Sequence, residues 1–225
     1  MSTVVISSRY NGPRDSGNGG WSAGTVAALV DRPAGTVVTL RRPPPLDTPL
    51  SVVRDADAVS IVDPDGETVA DAAPADVDAE LVPPVDFAAA TVASKQYPGF
   101  VSHPFPTCFV CGPDRAPGDG LRLFPGRVDE GRTATPWTVP DDVSPAMVWA
   151  ALDCPGGWTV GVEARPYVLG RIALHLDGVP APGDECVVMG RLLSSEGRKA
   201  SVATTLYGSD GQPLARSRAV WIAIG

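Results

Sequence analysis

The alternation of hydrophobic and polar positions along the chain predicts a protein built mainly from short strands. Stretches rich in Val, Ile and Thr are separated by clusters of Gly, Pro, Asn and Asp, which are typical of turns. Asp65-Gly66 lies between two such stretches and predicts a hairpin turn. The predicted strands are 3–9, 36–41, 50–53, 58–62, 68–72, 121–124, 132–138, 167–176, 185–193, 200–207 and 215–224.

Two segments have the composition and spacing of helices. The first follows the polar, glycine-rich run 16–20, and its apolar residues from Val26 onward recur at i, i+3 and i+4. Asn18 is predicted to cap this helix, because its side-chain oxygen can accept hydrogen bonds from the free N–H groups of the first turn. The second predicted helix is 144–152, with Pro145 in its first turn, and 155–157 is expected to end it.

Two pairs of segments indicate an internal duplication. Residues 148–157 resemble 26–35, and residues 206–215 resemble 61–70 in the same order along the chain. Each half then reads as a strand, a helix and an antiparallel meander, which predicts an α+β layered architecture. We expect two units, 1–104 and 105–225, joined near the proline-rich stretch 97–106.

Composition and charge limit the classes of partner. The 225 residues are 44% hydrophobic and 20% charged, with a net charge of −8, as is typical of a soluble globular protein. An acidic chain is not expected to bind nucleic acid or an anionic membrane surface. No apolar run approaches the roughly 18 residues of a membrane span, and no signal peptide is evident, so we expect a cytoplasmic protein.

The four cysteines are expected to be reduced in such a chain. Cys108 and Cys111, with His103 five residues earlier, raise the question of a zinc site, which requires four ligands in its structural form. Cys154 and Cys186 are isolated in the sequence. We therefore expect a tight turn without a metal or, at most, a redox-sensitive pair.

Several motifs together resemble a known family. Residues 108–126 (CFVCGPDRAPGDGLRLFPG), followed by 149–158 (WAALDCPGGW), are similar to PaaI-like and acyl-CoA thioesterases of the hotdog superfamily. Residues 18–29 (NGGWSAGTVAAL) resemble the His-Gly-Gly helix start of that superfamily, with Asn18 in place of histidine, and 197–225 resemble its closing strands. The resemblance implies a double hotdog, in which two antiparallel sheets each wrap around a central helix and the two units form one continuous sheet platform.

The resemblance also implies a thioesterase site in a cleft between the two units. Gly19 and Gly20 match the residues whose N–H groups polarise the thioester carbonyl, and Asp153 matches the helix acid that activates water or attacks directly. Asn18 would orient the carbonyl. A carboxylate in so apolar a stretch must be paired, neutralised or functional, and desolvation there raises its pKa.

The two helices do not carry the same motif. The second lacks the Gly-Gly start, and counting forward from Gly20 places Ala27 at the acid position of the first helix, with Asp31 one turn later. One composite site is therefore expected, with donors from the first half and the acid from the second. Trp21, Trp149 and Trp158 lie near the helices and are expected either in the core or as walls of an acyl pocket.

The predicted activity is hydrolysis of an acyl-CoA or a related acyl thioester, without a cofactor or metal. Arg9, Arg14, Arg41 and Arg42 are candidates to meet a coenzyme A phosphate. The resemblance also allows association into a homodimer or higher homo-oligomer. The alternatives are a non-catalytic protein that binds an acyl group or another small ligand, and an acyl-CoA dehydratase or hydratase. The sequence contains neither a G-x-S-x-G elbow nor a Walker loop.

Overall fold

The computed structural model describes residues 2–31 and 35–224. Within these residues the strands are β1 (Thr3–Val4), β2 (Gly35–Leu40), β3 (Leu50–Asp55), β4 (Ala58–Val62), β5 (Thr68–Pro74), β6 (Gly126–Asp129), β7 (Arg132–Thr138), β8 (Tyr167–Leu176), β9 (Glu185–Glu196), β10 (Lys199–Tyr207) and β11 (Pro213–Ala223). The α-helices are α1 (Gly19–Ala27), α2 (Phe87–Ser94), α3 (Pro145–Ala151) and α4 (Cys154–Gly157).

All eleven strands of the described residues belong to one antiparallel sheet, in the order β1-β3-β4-β5-β2-β8-β11-β10-β9-β7-β6. The two predicted antiparallel sheets are parts of one continuous sheet: β2 pairs with β8, from Gly35↔His175 to Thr39↔Arg171, and joins the two halves. Each of these strands would otherwise be a sheet edge with unpaired backbone groups. The central pairing satisfies those groups and makes the sheet continuous.

The same strand order occurs twice in this sheet. Read from the outer edge to the centre, the first half runs β1-β3-β4-β5-β2, and the second runs β7-β9-β10-β11-β8 with β6 added outside. In both halves the main helix lies in the chain between the outermost and innermost strands of this pattern, β1 and β2 in the first half and β7 and β8 in the second. A repeated strand order of this kind is what the predicted internal duplication would give.

The two central helices, α1 and α3, lie against each other with their backbones in close contact. A Cβ atom on Gly20 would lie 2.9 Å from the Ala150 Cα, and one on Gly24 would lie 2.8 Å from the Ala146 Cα. Such approaches are closer than real Cβ contacts, so only glycine fits at either position. Gly20 and Gly24 of the first helix therefore serve helix–helix packing.

The helix caps correct the alignment of the two halves. Asn18 caps α1 through its side chain, and Ser144 caps α3 in the same way. Their separation of 126 residues differs by about one turn from the 122 residues of the sequence repeat, whose positions 32–34 lie outside the described residues. Ala27, not Asp31, is therefore the counterpart of Asp153.

Three local predictions differ from the structure. Strand 3–9 is reduced to Thr3–Val4, and residues 121–124 form no regular strand because Leu121 and Leu123 donate instead to carbonyls of the cysteine segment, Phe109 and Val110. Residues 155–157 do not end the second helix but continue as α4. The hairpin turn at Asp65-Gly66 is confirmed, with Gly66 at a φ of +86°.

None of the helices in the described ranges is long and apolar enough to cross a membrane.

Candidate functional site

A cleft of about 530 Å³ opens beside the start of α1 and the junction of α3 with α4. Its polar lining includes Asn18, Gly19 and Asp153, and it therefore brings together residues from both halves of the chain. Its apolar lining comes from the segment after α4 and from strands β8 and β11, and includes Trp158, Val162, Tyr167, Leu169, Trp221 and Ile222. An apolar cleft with a few convergent polar groups is the usual form of a small-molecule site.

Asp153 lies between α3 and α4 and is only 2% exposed. Its Oδ2 accepts hydrogen bonds from the Gly20 N–H at 2.8 Å and from the Asn18 Nδ2 at 3.3 Å. Its Oδ1 is buried and has no hydrogen-bond partner among the described residues. Burial raises the pKa of Asp153 to about 7, against the opposing effect of the Gly20 hydrogen bond.

The first turn of α1 divides its N–H groups among different acceptors. The Trp21 N–H donates to the Asn18 Oδ1 at 2.9 Å, and the Gly20 N–H is held by Asp153. Gly19, at the first helical position, has no acceptor within its own helix and lines the cleft. Its N–H is therefore the one N–H of these three residues that has no hydrogen-bond acceptor among the described residues.

Asn18 is held in one orientation by its two roles. Because its oxygen caps the helix, its amide nitrogen points toward Asp153 and the neighbouring sulfur atoms. The predicted cap is thus confirmed, and the predicted site residues Asn18, Gly19, Gly20 and Asp153 lie together.

The three predicted tryptophans do not lie together. Trp158 lines the cleft, whereas Trp21 and Trp149 are not among its lining residues. The Trp21 ring stacks on Tyr10 with the ring centroids 3.6 Å apart. Trp149 is buried at the contact with α1, where its Cβ approaches Gly24. Of the three, only Trp158 is in a position to contact a ligand in the cleft.

Three thiols form a buried cluster beside Asp153. The Sγ atoms of Cys108, Cys111 and Cys154 lie within 4.8 Å of one another, and Cys108 and Cys154 are 4.0 Å apart. The expectation that Cys154 is isolated is therefore corrected. Hydrogen bonds from the other two thiols lower the pKa of Cys108, and burial raises that of Cys111.

His103 lies against this cluster with both ring nitrogens engaged. Its Nδ1 accepts from the Phe105 N–H at 2.9 Å, and its Nε2 is 3.4 Å from the Cys111 Sγ. The acceptor role of Nδ1 places the hydrogen of the neutral ring on Nε2, which then donates to the sulfur. Burial lowers the pKa of His103, which favours this neutral form.

Two of the four candidate arginines reach the cleft. Arg41 and Arg42 are among the lining residues, and both are about half exposed. Arg41 pairs with Asp71 at 2.5 Å and Arg42 with Glu67 at 2.7 Å. Arg9 and Arg14 are not part of the lining.

Comparison with solved structures decides the fold. A candidate thioesterase from Novosphingobium aromaticivorans has a TM-score of 0.64 and 19% identity, over 99% of this chain and 95% of that one. A hot dog fold protein of unknown function from Alicyclobacillus acidocaldarius gives 0.64 and 15%, over 100% and 92%. The chain has a hotdog fold. A candidate oleoyl thioesterase from Lactobacillus plantarum gives 0.59 and 11%, over 100% and 96%. No family model matches the sequence, and no curated protein matches it.

Sequence reasoning missed part of this hotdog cleft. Tyr167 and Leu169 of β8, and Trp221 and Ile222 of β11, line it although only their strand character was predicted. No local pattern marks them, because their position depends on how the halves of the hotdog sheet meet. Cys154 did carry a signal: it follows the predicted acid directly in the sequence.

Proposed function

We propose that this protein hydrolyses an acyl-CoA or a related acyl thioester. The observation that carries the proposal is Asp153, a buried carboxyl with a pKa of about 7 and an unpartnered Oδ1, beside the Gly19 N–H in an apolar cleft. A base whose pKa lies near neutrality is suited to remove a proton from water. The fold, shared with candidate thioesterases, is consistent with this assignment.

In the proposed reaction the thioester carbonyl oxygen accepts a hydrogen bond from the Gly19 N–H at the positive end of α1. Asp153 takes a proton from water, and the water oxygen attacks the carbonyl carbon. The tetrahedral intermediate then expels the thiolate by cleavage of the C–S bond. The leaving sulfur receives the proton from Asp153, giving a carboxylic acid and a free thiol, and the carboxyl is ready for another cycle.

Gly20 and Asn18 have a positioning role in this scheme. Both donate to the Oδ2 of Asp153, so the carboxylate is fixed in orientation while its Oδ1 is left without a protein partner. This divides the roles first expected of the glycine pair: Gly19 polarises the carbonyl and Gly20 holds the base.

The site belongs, in this proposal, to a double hotdog made of units 1–104 and 105–225. Two observations support related units: the strand order is repeated, and the side chains of Asn18 and Ser144, 126 residues apart, cap the two central helices in the same way. The positions that would form a second site are Ser144 and Ala27, the counterparts of Asn18 and Asp153. An alanine provides no base, so the proposal retains one composite site.

The substrate carrier is proposed to be coenzyme A because the cleft joins an apolar surface to two exposed arginines. The apolar residues of β8 and β11 would hold the acyl chain. Arg41 and Arg42 would meet a phosphate of the carrier, in competition with their present carboxylate partners.

The test measures free-thiol release from acyl-CoAs of graded chain length by wild type, Asp153→Asn and the exposed control Asp57→Asn. We expect turnover by wild type and by Asp57→Asn, and a loss of about 100-fold or more in Asp153→Asn, the size of a general-base contribution. Equal rates in Asp153→Asn and wild type would remove Asp153 from the mechanism. Absence of thiol release from every substrate would overturn the proposed hydrolysis.

A non-catalytic binding role is the second candidate, and one contact favours it. The Gly20 N–H, expected to polarise a carbonyl, is instead bonded to Asp153. Calorimetric binding of an acyl-CoA that remains intact after prolonged incubation would support this role. The dehydratase or hydratase alternative gains nothing from His103, because both of its nitrogens already have partners.

A further inference from the structure

We propose that Cys108, Cys111 and Cys154 bind one zinc ion at the wall of the cleft. The three sulfur atoms lie within 4.8 Å of one another, and all three residues are buried and line the cleft. Thiolate sulfur is a preferred ligand of zinc, at about 2.3 Å from the metal. Three sulfurs bound to one tetrahedral ion at that length are about 3.8 Å apart, so the separations in this cluster have to shorten by at most about 1 Å.

The backbone around Cys108 and Cys111 is built as a tight turn. The Gly112 N–H donates to the Cys108 carbonyl at 2.9 Å, and a Cβ on Gly112 would lie 2.5 Å from both the Cys108 nitrogen and the Pro106 carbonyl oxygen. Glycine is therefore required for the turn that aims both sulfurs in one direction. Cys154 reaches the same point from the start of α4.

N–H groups surround the sulfurs on the protein side. The Trp158 Nε1 and the His103 Nε2 lie 3.5 Å and 3.4 Å from the Cys111 Sγ, and the Asn18 Nδ2 lies 3.7 Å from the Cys108 Sγ and 4.0 Å from the Cys154 Sγ. Three thiolates on Zn²⁺ leave one net negative charge, and hydrogen bonds to ligand sulfur stabilise such charge. Buried thiols that only filled space would not require these donors.

His103 is assigned as a donor to the cluster and not as a fourth ligand. Its Nδ1 accepts the Phe105 N–H, so coordination through Nε2 would place a hydrogen on Nδ1 and break that bond. The fourth position is therefore left to water or to a ligand in the cleft. Three protein ligands with one open position are the pattern of zinc sites that bind exchangeable ligands.

Metal binding in this proposal is an exchange of protons for zinc. Each of the three thiols releases its proton to solvent as its sulfur bonds to the ion, and no oxidant or reductant takes part. The proposal is independent of the thioesterase activity, because it concerns the content and ligation of metal and not turnover.

The first experiment measures metal content. Full-length protein is produced with zinc in the medium, purified under a non-chelating reductant and analysed by mass spectrometry for metals, with thiols counted after unfolding. We expect about one zinc per chain in wild type and in Cys186→Ser, a buried cysteine outside the cluster. We expect loss of zinc in Cys108→Ser, Cys111→Ser and Cys154→Ser, with folding of each variant checked by circular dichroism.

Cobalt(II) identifies the ligands even where a serine variant folds poorly. Cobalt added to chelator-treated wild type should give the charge-transfer absorption of thiolate–cobalt bonds and the intense visible bands of four-coordinate cobalt. His103→Gln should keep both, and Trp158→Phe should weaken cobalt binding on the order of tenfold, the lower range for a group that supports a ligand.

Three results would overturn the proposal. The first is that fully reduced wild type neither retains zinc nor gives the cobalt bands. The second is that the zinc content is unchanged in all three serine variants. The third is that the thiol count is two short, which indicates a disulfide. Loss of the cobalt spectrum in a folded His103→Gln protein would overturn the three-sulfur assignment and make His103 a ligand.

Discussion

The Gly20 N–H donates to the Asp153 Oδ2 at 2.8 Å across a sequence separation of 133 residues. This contact ties the start of one central helix to the end of the other and orients the carboxyl that faces the cleft. Because this contact occupies the Gly20 N–H, and Asn18 accepts from the Trp21 N–H, the Gly19 N–H is the remaining donor of these three residues.

Acyl-CoA hydrolysis should depend on the ionisation of Asp153. Because burial raises the pKa of this carboxyl to about 7, the active carboxylate is lost as the pH falls through that value. We expect kcat/KM to rise with pH through about 7 and then level off, measured by thiol release between pH 5 and 9. Asp57→Asn should keep this profile. A rate that is flat across this range would contradict the assignment of Asp153 as base.

The same carboxyl should make folding stability depend on pH. Its pKa is raised from 3.8 in the unfolded chain to about 7 in the folded one, so the folded state holds a proton that the unfolded state has lost between these values. Stability contributed by the neutral form is thus complete below about pH 4 and falls as the pH rises to about 7. Between about pH 4 and pH 7, the free energy of unfolding of wild type should fall by about 4 kcal/mol more than that of Asp153→Asn.

Urea unfolding of wild type, Asp153→Asn and Asp57→Asn at pH 4.5, 6 and 8 measures this difference. The other titrating groups are common to wild type and Asp153→Asn, so the difference between their profiles gives the contribution of the Asp153 carboxyl. Parallel pH profiles for wild type and Asp153→Asn would show that the carboxyl is solvated or paired in solution.

The sequence predicts those features of this molecule that depend on local chemistry. Asn18 caps its helix because a short polar side chain before a helix start can reach the free N–H groups, and this needs no knowledge of the fold. Asp65-Gly66 forms its hairpin for a similar reason. Strands β7 to β11 were predicted to within about three residues at each end because long alternating segments carry a strong signal, whereas the short strand β6 was not predicted.

Contacts between distant segments were not predictable in the same way. The pairing of β2 with β8 makes one sheet from the two halves, and the sequence of neither strand indicates which strand it pairs with. The cysteine cluster joins Cys108 and Cys111 to Cys154 only because the turn that holds the first two packs against the start of α4. The division of roles between Gly19 and Gly20 depends on where the Asp153 carboxyl lies, which is again a property of the folded molecule.

Substitution of Gly20 or Gly24 by alanine should destabilise the protein by about 2–3 kcal/mol each, as is typical of overpacking at a rigid contact. Their added Cβ atoms would meet backbone of α3 at 2.6 Å and 2.8 Å, where no flexible side chain can give way. Gly178→Ala is the matched control, because the nearest atom to its Cβ is 3.8 Å away. Thermal and urea unfolding measure the effects. Equal stability of Gly24→Ala and Gly178→Ala would show that the helices do not meet this closely.

Arg42→Ala should weaken the binding of acyl-CoA and leave the chemical step intact. If the guanidinium meets a phosphate, its removal should raise KM about tenfold at low salt, since a hydrogen bond to a charged group contributes roughly 1.5 kcal/mol. The effect should shrink as salt is added, because the arginine is about half exposed and its interactions are screened. The exposed Lys95, outside the cleft, provides the control Lys95→Ala.

Comparison of two substrates separates this role from a general loss of structure. The same acyl group on N-acetylcysteamine has no phosphate, so its KM should be equal for wild type and Arg42→Ala. Unfolding of the substrate pocket would raise KM for both substrates. An unchanged KM for acyl-CoA at low salt would place the carrier phosphate elsewhere, and Arg41→Ala, measured with the same pair of substrates, would then test the neighbouring arginine of the cleft.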